Sequence, residues 1–433
     1  MKRTNYRWFV ASFFMLLALI SYMDRVNLSV ATPMIMKEFG FTKVHMGTIQ
    51  SVFFLAYAAF YIPGGMAGEY FGPRVVITMA TGLWSIFTAI TGLCSSFTMF
   101  IAARFAFGVG ESPIFPSMNT GCQKWFPTTE RGKATAMMAG GAYMGPIFGP
   151  AIVVAIMTAW GWRPVFYLFG AVGVVVAIAC YFLVASHPSQ SRFVNRAELV
   201  HIAEGSSAAY VEKKEIAPWR TFIGSTQFWA IAGQFFAVDY VTYVFLAWLP
   251  VYLIEAHGFS LQQMGFAASL PWIALTVCLL GTGYFSDKML NAGMKKNVVR
   301  PLFGIAGLVV CCIGLNAGAF AQGKWTTVLF LTLAAGGLGP VFAASWPACI
   351  DLGGKFTGTV SGWMGCWGNI GGVVAPVTAA WIATRFGWGV TLISTSAVAV
   401  LGAVAWLLVK PDQPLKAPKR ASVELPAESS IRA

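Results

Sequence analysis

The sequence predicts an all-α integral membrane protein of twelve transmembrane helices in two six-helix, pseudo-symmetric bundles, and three observations support this prediction. Of the 433 residues, 57% are hydrophobic and only 10% are charged, whereas soluble domains carry about 25% charged residues. Apolar runs long enough to cross a bilayer recur along the chain, since a spanning helix needs about 20 such residues. Lys and Arg are also distributed unequally between the two sides that these runs define.

A single long polar interval divides the apolar runs into two groups of six. It predicts an N-terminal bundle at 1–185, a central loop at 186–221, a C-terminal bundle at 222–409 and a disordered tail at 410–433. The runs are 8–31, 45–66, 75–96, 98–121, 134–158, 165–184, 228–254, 265–285, 299–320, 325–349, 357–383 and 388–409.

The basic residues indicate the orientation of these helices. If the N-terminus is cytoplasmic, 22 of the 29 Lys and Arg residues lie on the cytoplasmic side, 5 lie on the opposite side and 2 are embedded. An excess of this kind is the positive-inside pattern. We therefore expect a multi-pass protein of the cell inner membrane with both termini in the cytoplasm. The net charge of +13 then reflects membrane orientation, and no nucleic-acid partner is expected.

Several functional classes are disfavoured by missing patterns. The eight cysteines lie in or at the ends of apolar runs, without metal-ligand spacing. The sequence has no phosphate-binding loop of the Gly-x-x-x-x-Gly-Lys-Ser/Thr type. The first run is too long for a signal-peptide core and carries Asp24 and Arg25, which indicates a retained helix. We expect a transporter and not an enzyme, with no cofactor and no metal.

A weak internal repeat follows the second and the eighth runs. The first copy contains Gly65, Glu69 and Arg74, and the second contains Asp287 and Lys288. Each copy places a carboxylate after glycines at a helix end, with cations just beyond, and we call these five residues the latch motif. Such loops can bond to neighbouring helix ends and hold two halves in one conformation. The alternative is two unrelated clusters of charge.

The first run carries charged residues in its interior, where they are costly unless they face a cavity or a partner. Tyr22, Arg25 and Ser29 share one helix face. Arg25 is suited to bind a carboxylate, because its guanidinium donates two parallel hydrogen bonds. Asp24 lies about 100° round the helix, since successive helical residues are offset by that angle. A static Asp24–Arg25 pair that joins two helices is the alternative.

Glu111 in the fourth run is the predicted proton carrier. It precedes Pro113 and Pro116, which interrupt helical hydrogen bonding and indicate a broken, cavity-lining helix. A carboxyl group buried there can exchange a proton, although a structural hydrogen bond is the alternative. Arg104 lies nearer one end of the run, and we expect it to act in packing or gating.

Each of the other embedded polar residues is compatible with more than one role. Tyr57 and Tyr61 lie four residues apart and can donate hydroxyls to a polar cargo or simply pack. Asp239 can be a polar contact, a second titrating group or an inter-helix bond. The runs of the second half contain no Lys or Arg deep inside, and their polar side chains are Ser345, Trp346, Ser361, Trp363, Trp367 and Asn369. This asymmetry suits a hydroxylated carboxylate, whose acid is bound by Arg and whose hydroxyls are bound by amides.

The chain resembles the anion:cation symporter family of the major facilitator superfamily. The resemblance rests on Tyr22-x-Asp24-Arg25-x-Asn27-Leu-Ser29, on Tyr57 followed by Pro63-Gly64-Gly65, and on Arg104-x-x-x-Gly108-x-Gly110-Glu111-x-x-x-x-Pro116. It implies the major facilitator fold and proton-driven uptake of galactonate, glucarate, hexuronate or a similar acid. It also implies that Arg25, Tyr22, Tyr57, Asn369 and Trp346 contact the substrate, and that Glu111 and Asp24 carry protons.

The sequence departs from the family pattern at three points, which leaves other cargoes open. Tyr61 replaces a usual Gln, Glu69-Tyr70 replaces a usual Asp-Arg, and the fifth run contains no Gln. Our leading hypothesis is proton-coupled symport of a sugar acid by a monomer in a lipid bilayer. The alternatives are an importer of an aromatic or short dicarboxylic acid, an anion exchanger, and a receptor that binds the anion without transporting it.

Overall fold

The computed structural model describes residues 3–204 and 218–415, and this part of the chain consists of helices and short turns without a β-strand. The first group of helices comprises α1 (Tyr6–Phe39), α2 (Lys43–Phe71), α3 (Pro73–Thr91), α4 (Phe97–Glu111), α5 (Ile114–Trp125), α6 (Thr128–Trp160), α7 (Trp162–Leu183) and α8 (Arg196–Glu204). The second comprises α9 (Trp219–Ile223), α10 (Thr226–His257), α11 (Leu261–Ala267), α12 (Leu270–Asn291), α13 (Lys296–Phe320), α14 (Lys324–Gly353) and α15 (Thr357–Leu407).

These helices form twelve membrane crossings. Ten continuous segments of the described chain are long and apolar enough to span a bilayer, counting α11 with α12. The segment α15 contains two crossings, because Gly387 has a non-helical conformation in its middle. One further crossing is made by α4 and α5 together, which the proline-containing break after Glu111 separates. The predicted fold class is therefore confirmed.

Two pairs of turns repeat between the halves and support the pseudo-symmetry. After α1 and after α10 the chain ends the helix with a left-handed glycine, Gly40 (φ 65°) and Gly258 (φ 61°). In each case Phe follows, and then Thr42 or Ser260 caps the next helix with a capping box. Later, Gly161 and Gly387 adopt φ 84° and 85° before a tryptophan. A left-handed φ favours glycine because other side chains clash there.

The helices pack mainly within each half. In the first half α1 packs on α6, α2 on α4, and α3 on α7, while in the second α10 packs on α15 and α14 on both α12 and α13. Close packing of this kind is allowed by small residues. The halves meet where α2 contacts α15, α1 contacts α10, and α6 contacts α11.

Both described ends of the chain lie on one side of the bundle, which we call the terminal face. Thr4 Oγ1 donates a hydrogen bond to Glu198 Oε2 of α8 at 2.7 Å, and the Leu415 amide donates to the Leu352 carbonyl at the end of α14 at 2.9 Å. An even number of crossings requires this arrangement. We call the other side the opposite face.

The two halves are in contact on the opposite face. Lys43 Nζ of α2 lies 2.9 Å from Glu255 Oε2 of α10, the only ion pair that joins the halves among the side chains that the structure describes. Near it, Gly47 packs directly against the backbone of Pro376 in α15. On the terminal face, by contrast, Glu69 and Asp287 are exposed. The structure is therefore closed on the opposite face.

The predicted limits of the two bundles, at residues 185 and 222, remain proposals. The short helix α8 lies within the predicted central loop. Most of the tail for which disorder was predicted, residues 416–433, lies outside the described residues, as does the middle of the central loop, 205–217.

Candidate functional site

The centre of the site is a buried ion pair between α1 and the last residue of α4. Arg25 Nε donates to Glu111 Oε1 at 2.9 Å, and Arg25 Nη2 lies 2.8 Å from the same oxygen without the alignment of a hydrogen bond. The Ser21 hydroxyl donates to this oxygen as well. Glu111 is fully buried, and its second oxygen, Oε2, has no partner. The Ser21 hydroxyl and Arg25 Nε thus both donate to one carboxylate oxygen, and the remaining N–H groups of Arg25 can donate to a further acceptor.

Aromatic rings enclose the guanidinium of Arg25. Its central carbon lies 4.6 Å from the ring centre of Tyr22, 4.8 Å from that of Tyr57 and 5.1 Å from that of Phe53. Such cation–π contacts hold an arginine in place without using its hydrogen-bond donors. The ring of Tyr57 also packs against that of Tyr61 in a tilted arrangement, with 5.6 Å between the ring centres. The structure therefore brings Arg25, Tyr22, Tyr57 and Tyr61 together.

Asp24 lies on a different side of α1, away from the guanidinium of Arg25. Its Oδ2 accepts a hydrogen bond from Trp84 Nε1 of α3 at 3.1 Å, and its Oδ1 accepts one from Asn27 Nδ2 at 3.1 Å. It is 1% exposed, within electrostatic range of Glu111 and Arg104. Asp24 therefore belongs to the interior of the first half, one layer behind the Arg25–Glu111 pair.

A small cavity of about 20 Å³ lies beside Arg25 between the halves, which is room for about one water molecule. Arg104 of α4 lines it together with Arg25, although the sequence indicated packing or gating for Arg104. The Nε atom of Arg104 and the amide nitrogen of Gln50 are buried without partners. The site thus contains a second buried cation and unused hydrogen-bond donors.

Three residues that the sequence indicated for the site lie in the second half: Asp239 on α10, Asn369 on α15 and Trp346 on α14. Asp239 packs against Gly368, the residue before Asn369, and is within electrostatic range of Arg25. Asn369 Nδ2 donates to the Gly365 carbonyl at 2.9 Å. Trp346 is 46% exposed and packs on Phe235 at 5.5 Å between ring centres. Asp239 thus lies against the residue that precedes Asn369, whereas Trp346 lies on a neighbouring helix.

Sequence reasoning missed several aromatic and polar residues of the site. Tyr243 lines the small cavity with Phe53 and Gln50, and Tyr143 of α6 is within electrostatic range of Tyr22. The spacing of residues in the sequence contained a signal for two of them, Phe53 and Tyr243. Phe53, Tyr57 and Tyr61 follow at four-residue spacing, and Tyr243 lies four residues after Asp239, so each set shares one helix face.

The latch motif is not engaged across the halves in this conformation. Gly65 packs against Pro116 of α5, and Arg74 Nε donates to the Tyr181 carbonyl of α7 at 2.7 Å, so both contacts stay within the first half. Glu69, Asp287 and Lys288 are exposed. This arrangement agrees with closure on the opposite face alone.

The described ranges contain no group of three His, Cys, Asp or Glu side chains placed to hold a metal ion. Guanidinium, amide, phenol and carboxyl groups lie close to the interface of the two halves, which is where transporters built from two repeated halves bind their substrates.

Known proteins resemble this chain over most of its length. The family model of the Major Facilitator Superfamily matches residues 14–376. The chain is 30% identical over 411 residues to a probable sulfoacetate transporter of Cupriavidus necator, covering 95% of each. It is also 30% identical over 406 residues to a D-galactonate transporter of Escherichia coli, covering 91% of this chain and 93% of the relative.

A solved structure has the same fold. A bacterial homologue of the human lysosomal transporter Spinster, in an inward-facing and unoccupied conformation, matches with a TM-score of 0.77 at 18% identity, over 94% of this chain and 98% of that one. The predicted resemblance to sugar-acid transporters is confirmed by the relatives. From its twelve crossings, its two repeated halves and these matches, the chain belongs to the Major Facilitator Superfamily.

Proposed function

We propose that this protein is a secondary active transporter that takes up a small organic anion, most suitably a sugar acid, together with protons. The observation that carries the proposal is the Arg25–Glu111 pair, in which one buried guanidinium is bound by one buried carboxylate. The relatives named as transporters of sulfoacetate and D-galactonate support a carboxylate cargo. The protein itself has no catalytic role in this proposal.

Coupling follows from competition for Arg25. Arg25 can donate further hydrogen bonds to an incoming carboxylate, but its single positive charge compensates only one of the two carboxylates, and a charged Glu111 left uncompensated in its buried position costs about 3–5 kcal/mol. Protonation of Glu111 removes this cost and frees Arg25. Anion and proton therefore bind together, and both favour the same conformations of the two halves.

The remaining site residues have supporting roles in the proposal. Tyr22 and Tyr57 hold Arg25 and offer hydroxyls to the anion, while Asn369 and Trp346 contact its hydroxylated end from the second half. Asp24 is a second proton carrier, and it interacts electrostatically with Glu111, the first carrier, across the interior of the first half.

Transport requires the two halves to rock about this site. The Lys43–Glu255 pair then opens, and the latch motif, Gly65, Glu69, Arg74, Asp287 and Lys288, closes on the terminal face. We propose that the terminal face is cytoplasmic, that the membrane is the cell inner membrane and that the protein acts as a monomer.

The test is uptake of radiolabelled D-galactonate into proteoliposomes with an imposed pH gradient. Accumulation should follow the gradient in the wild type. Glu111→Gln should lose accumulation yet retain exchange of substrate, because the neutral amide mimics the protonated acid. Glu38→Gln is the matched control, since it removes a carboxylate of α1 at the surface, where Glu38 binds Arg163 of α7. Uptake that ignores the pH gradient would refute proton coupling.

Anion exchange is a second candidate, favoured by one observation. Arg104 lines the same small cavity as Arg25, and exchangers of multiply charged anions use more than one cation. The same vesicles distinguish the two functions. An exchanger would take up labelled anion only when the vesicles are preloaded with unlabelled anion, whatever the pH gradient.

A further inference from the structure

Asp239 is a buried carboxylate without a partner in the parts of the chain that the structure describes. It is 9% exposed, and neither of its oxygens accepts a hydrogen bond or forms an ion pair there. The other two buried carboxylates of the membrane region differ in this respect, because Glu111 is bound by Arg25 and Asp24 by Trp84. An unpaired carboxylate at this depth is costly and indicates a functional role.

The position of Asp239 relates it to Arg25 across the interface of the halves. It lies within electrostatic range of Arg25 and Tyr22 on α1, of Tyr143 on α6 and of Tyr243 on its own helix. From α15, Gly368 allows the carboxylate to approach closely and presents no charge. Arg25 is thus the only cation that faces Asp239 within the described residues.

Arg25 and Asp239 carry opposite charges on the two sides of the interface between the halves. An anion that bound Arg25 through one carboxylate and extended towards the second half would meet Asp239. An ionised carboxylate only accepts hydrogen bonds, so it binds hydroxyl groups. A second negative group at that end would meet a like charge in a poorly solvated site, where charge–charge interactions are stronger than in water.

We propose that Asp239 determines the charge class of the substrate, by binding hydroxyl donors at the end remote from Arg25 and excluding molecules that carry a second anionic group there. The inference rests on the proposed function and narrows it. The substrate is a hydroxylated monocarboxylate, and not an aldarate or a sulfo acid such as the one named for the relative from Cupriavidus necator.

The experiment is equilibrium binding to the purified full-length protein in nanodiscs, using two matched pairs of acids. D-Galactonate and galactarate differ only in the terminal group, hydroxymethyl or carboxylate, and glycolate and sulfoacetate differ in the same sense. The measured quantity is the ratio of the two dissociation constants in each pair. Glu111 competes for Arg25 with the carboxylate that both members share, so the effect of Glu111 cancels in this ratio.

In the wild type at neutral pH, the monoanion of each pair should bind at least about tenfold more tightly, a difference of about 1.4 kcal/mol. Asp239→Asn should bring the ratio close to one, mainly by strengthening binding of the dianion. Asp239→Glu, which keeps the charge, should preserve the preference, as should the control Glu38→Gln. In the wild type the ratio should also fall as the pH is lowered, because protonation removes the charge of Asp239.

The contrary outcomes separate the two proposals. An Asp239→Asn ratio equal to that of the wild type, or a wild type that prefers the dianion, would overturn the role of Asp239 while leaving anion transport intact. Failure of the wild type to bind any of the four acids would overturn the proposed function and this inference with it. If Asp239→Asn does not fold, a wild-type ratio that is constant with pH overturns the inference.

Discussion

Gly47 lies where α2 of the first half crosses α15 of the second on the opposite face. A Cβ atom added at this position would lie 2.7 Å from the Pro376 carbonyl oxygen and 3.1 Å from Ala380 Cβ. A carbon rarely approaches a carbonyl oxygen closer than about 3.3 Å. Both atoms belong to the body of a helix and not to the end of a flexible side chain, so neither can move aside alone. Gly47→Ala must therefore separate α2 from α15 by about 0.6 Å, which is the difference between the usual limit of about 3.3 Å and the 2.7 Å to the Pro376 oxygen.

The magnitude follows from the cost of overpacking, which is about 1–3 kcal/mol. The clash exists only while the opposite face is closed, so the full cost shifts the conformational equilibrium. The ratio of closed to open molecules should fall by about 5- to 150-fold. The greater helix propensity of alanine, about 1 kcal/mol, stabilises both conformations equally and leaves the ratio unchanged.

The assay is a distance measurement between spin labels at Lys37→Cys and Arg385→Cys, which are exposed on the opposite face in different halves, after replacement of the exposed Cys366. Gly47→Ala should move the distribution to longer distances and slow transport while leaving anion binding. Gly132→Ala is the control, because no atom lies within 4 Å of a Cβ at that helical position. A distance distribution identical to that of the wild type would refute the reasoning.

Two further predictions concern charged contacts at the two faces. Lys43→Met should weaken closure of the opposite face by only about 0.2–1 kcal/mol, since the pair with Glu255 is partly exposed; added salt should open the wild type and leave the variant unchanged in the same distance measurement. Arg7→Met should destabilise the fold by about 3 kcal/mol, because Arg7 is 1% exposed and binds Glu130 at 2.6 Å and Glu198 at 2.9 Å. Its melting temperature, followed by tryptophan fluorescence, should fall, and an unchanged value would contradict the role of this cluster.

Much of the candidate site was predictable because a charged side chain inside a membrane helix is costly, and such residues are therefore rare and typically functional. Arg25 and Glu111 could be singled out in this way, and the proline after Glu111 indicated the break at which α4 ends. The repeated latch motif was visible, but the better-matched turns at Gly40 and Gly258 were overlooked, because their likeness lies in backbone conformation.

The sequence by itself determined the twelve crossings and the embedded position of Arg25, since both depend on the cost of transferring side chains into a bilayer, which is a local property. Only the tertiary structure decided which carboxylate pairs with that arginine. Asp24 is its neighbour in sequence, yet Trp84 binds Asp24 and Arg25 turns to Glu111, 86 residues away. Partner choice depends on how helices are rotated against one another, and this rotation is set by the packing of the whole bundle.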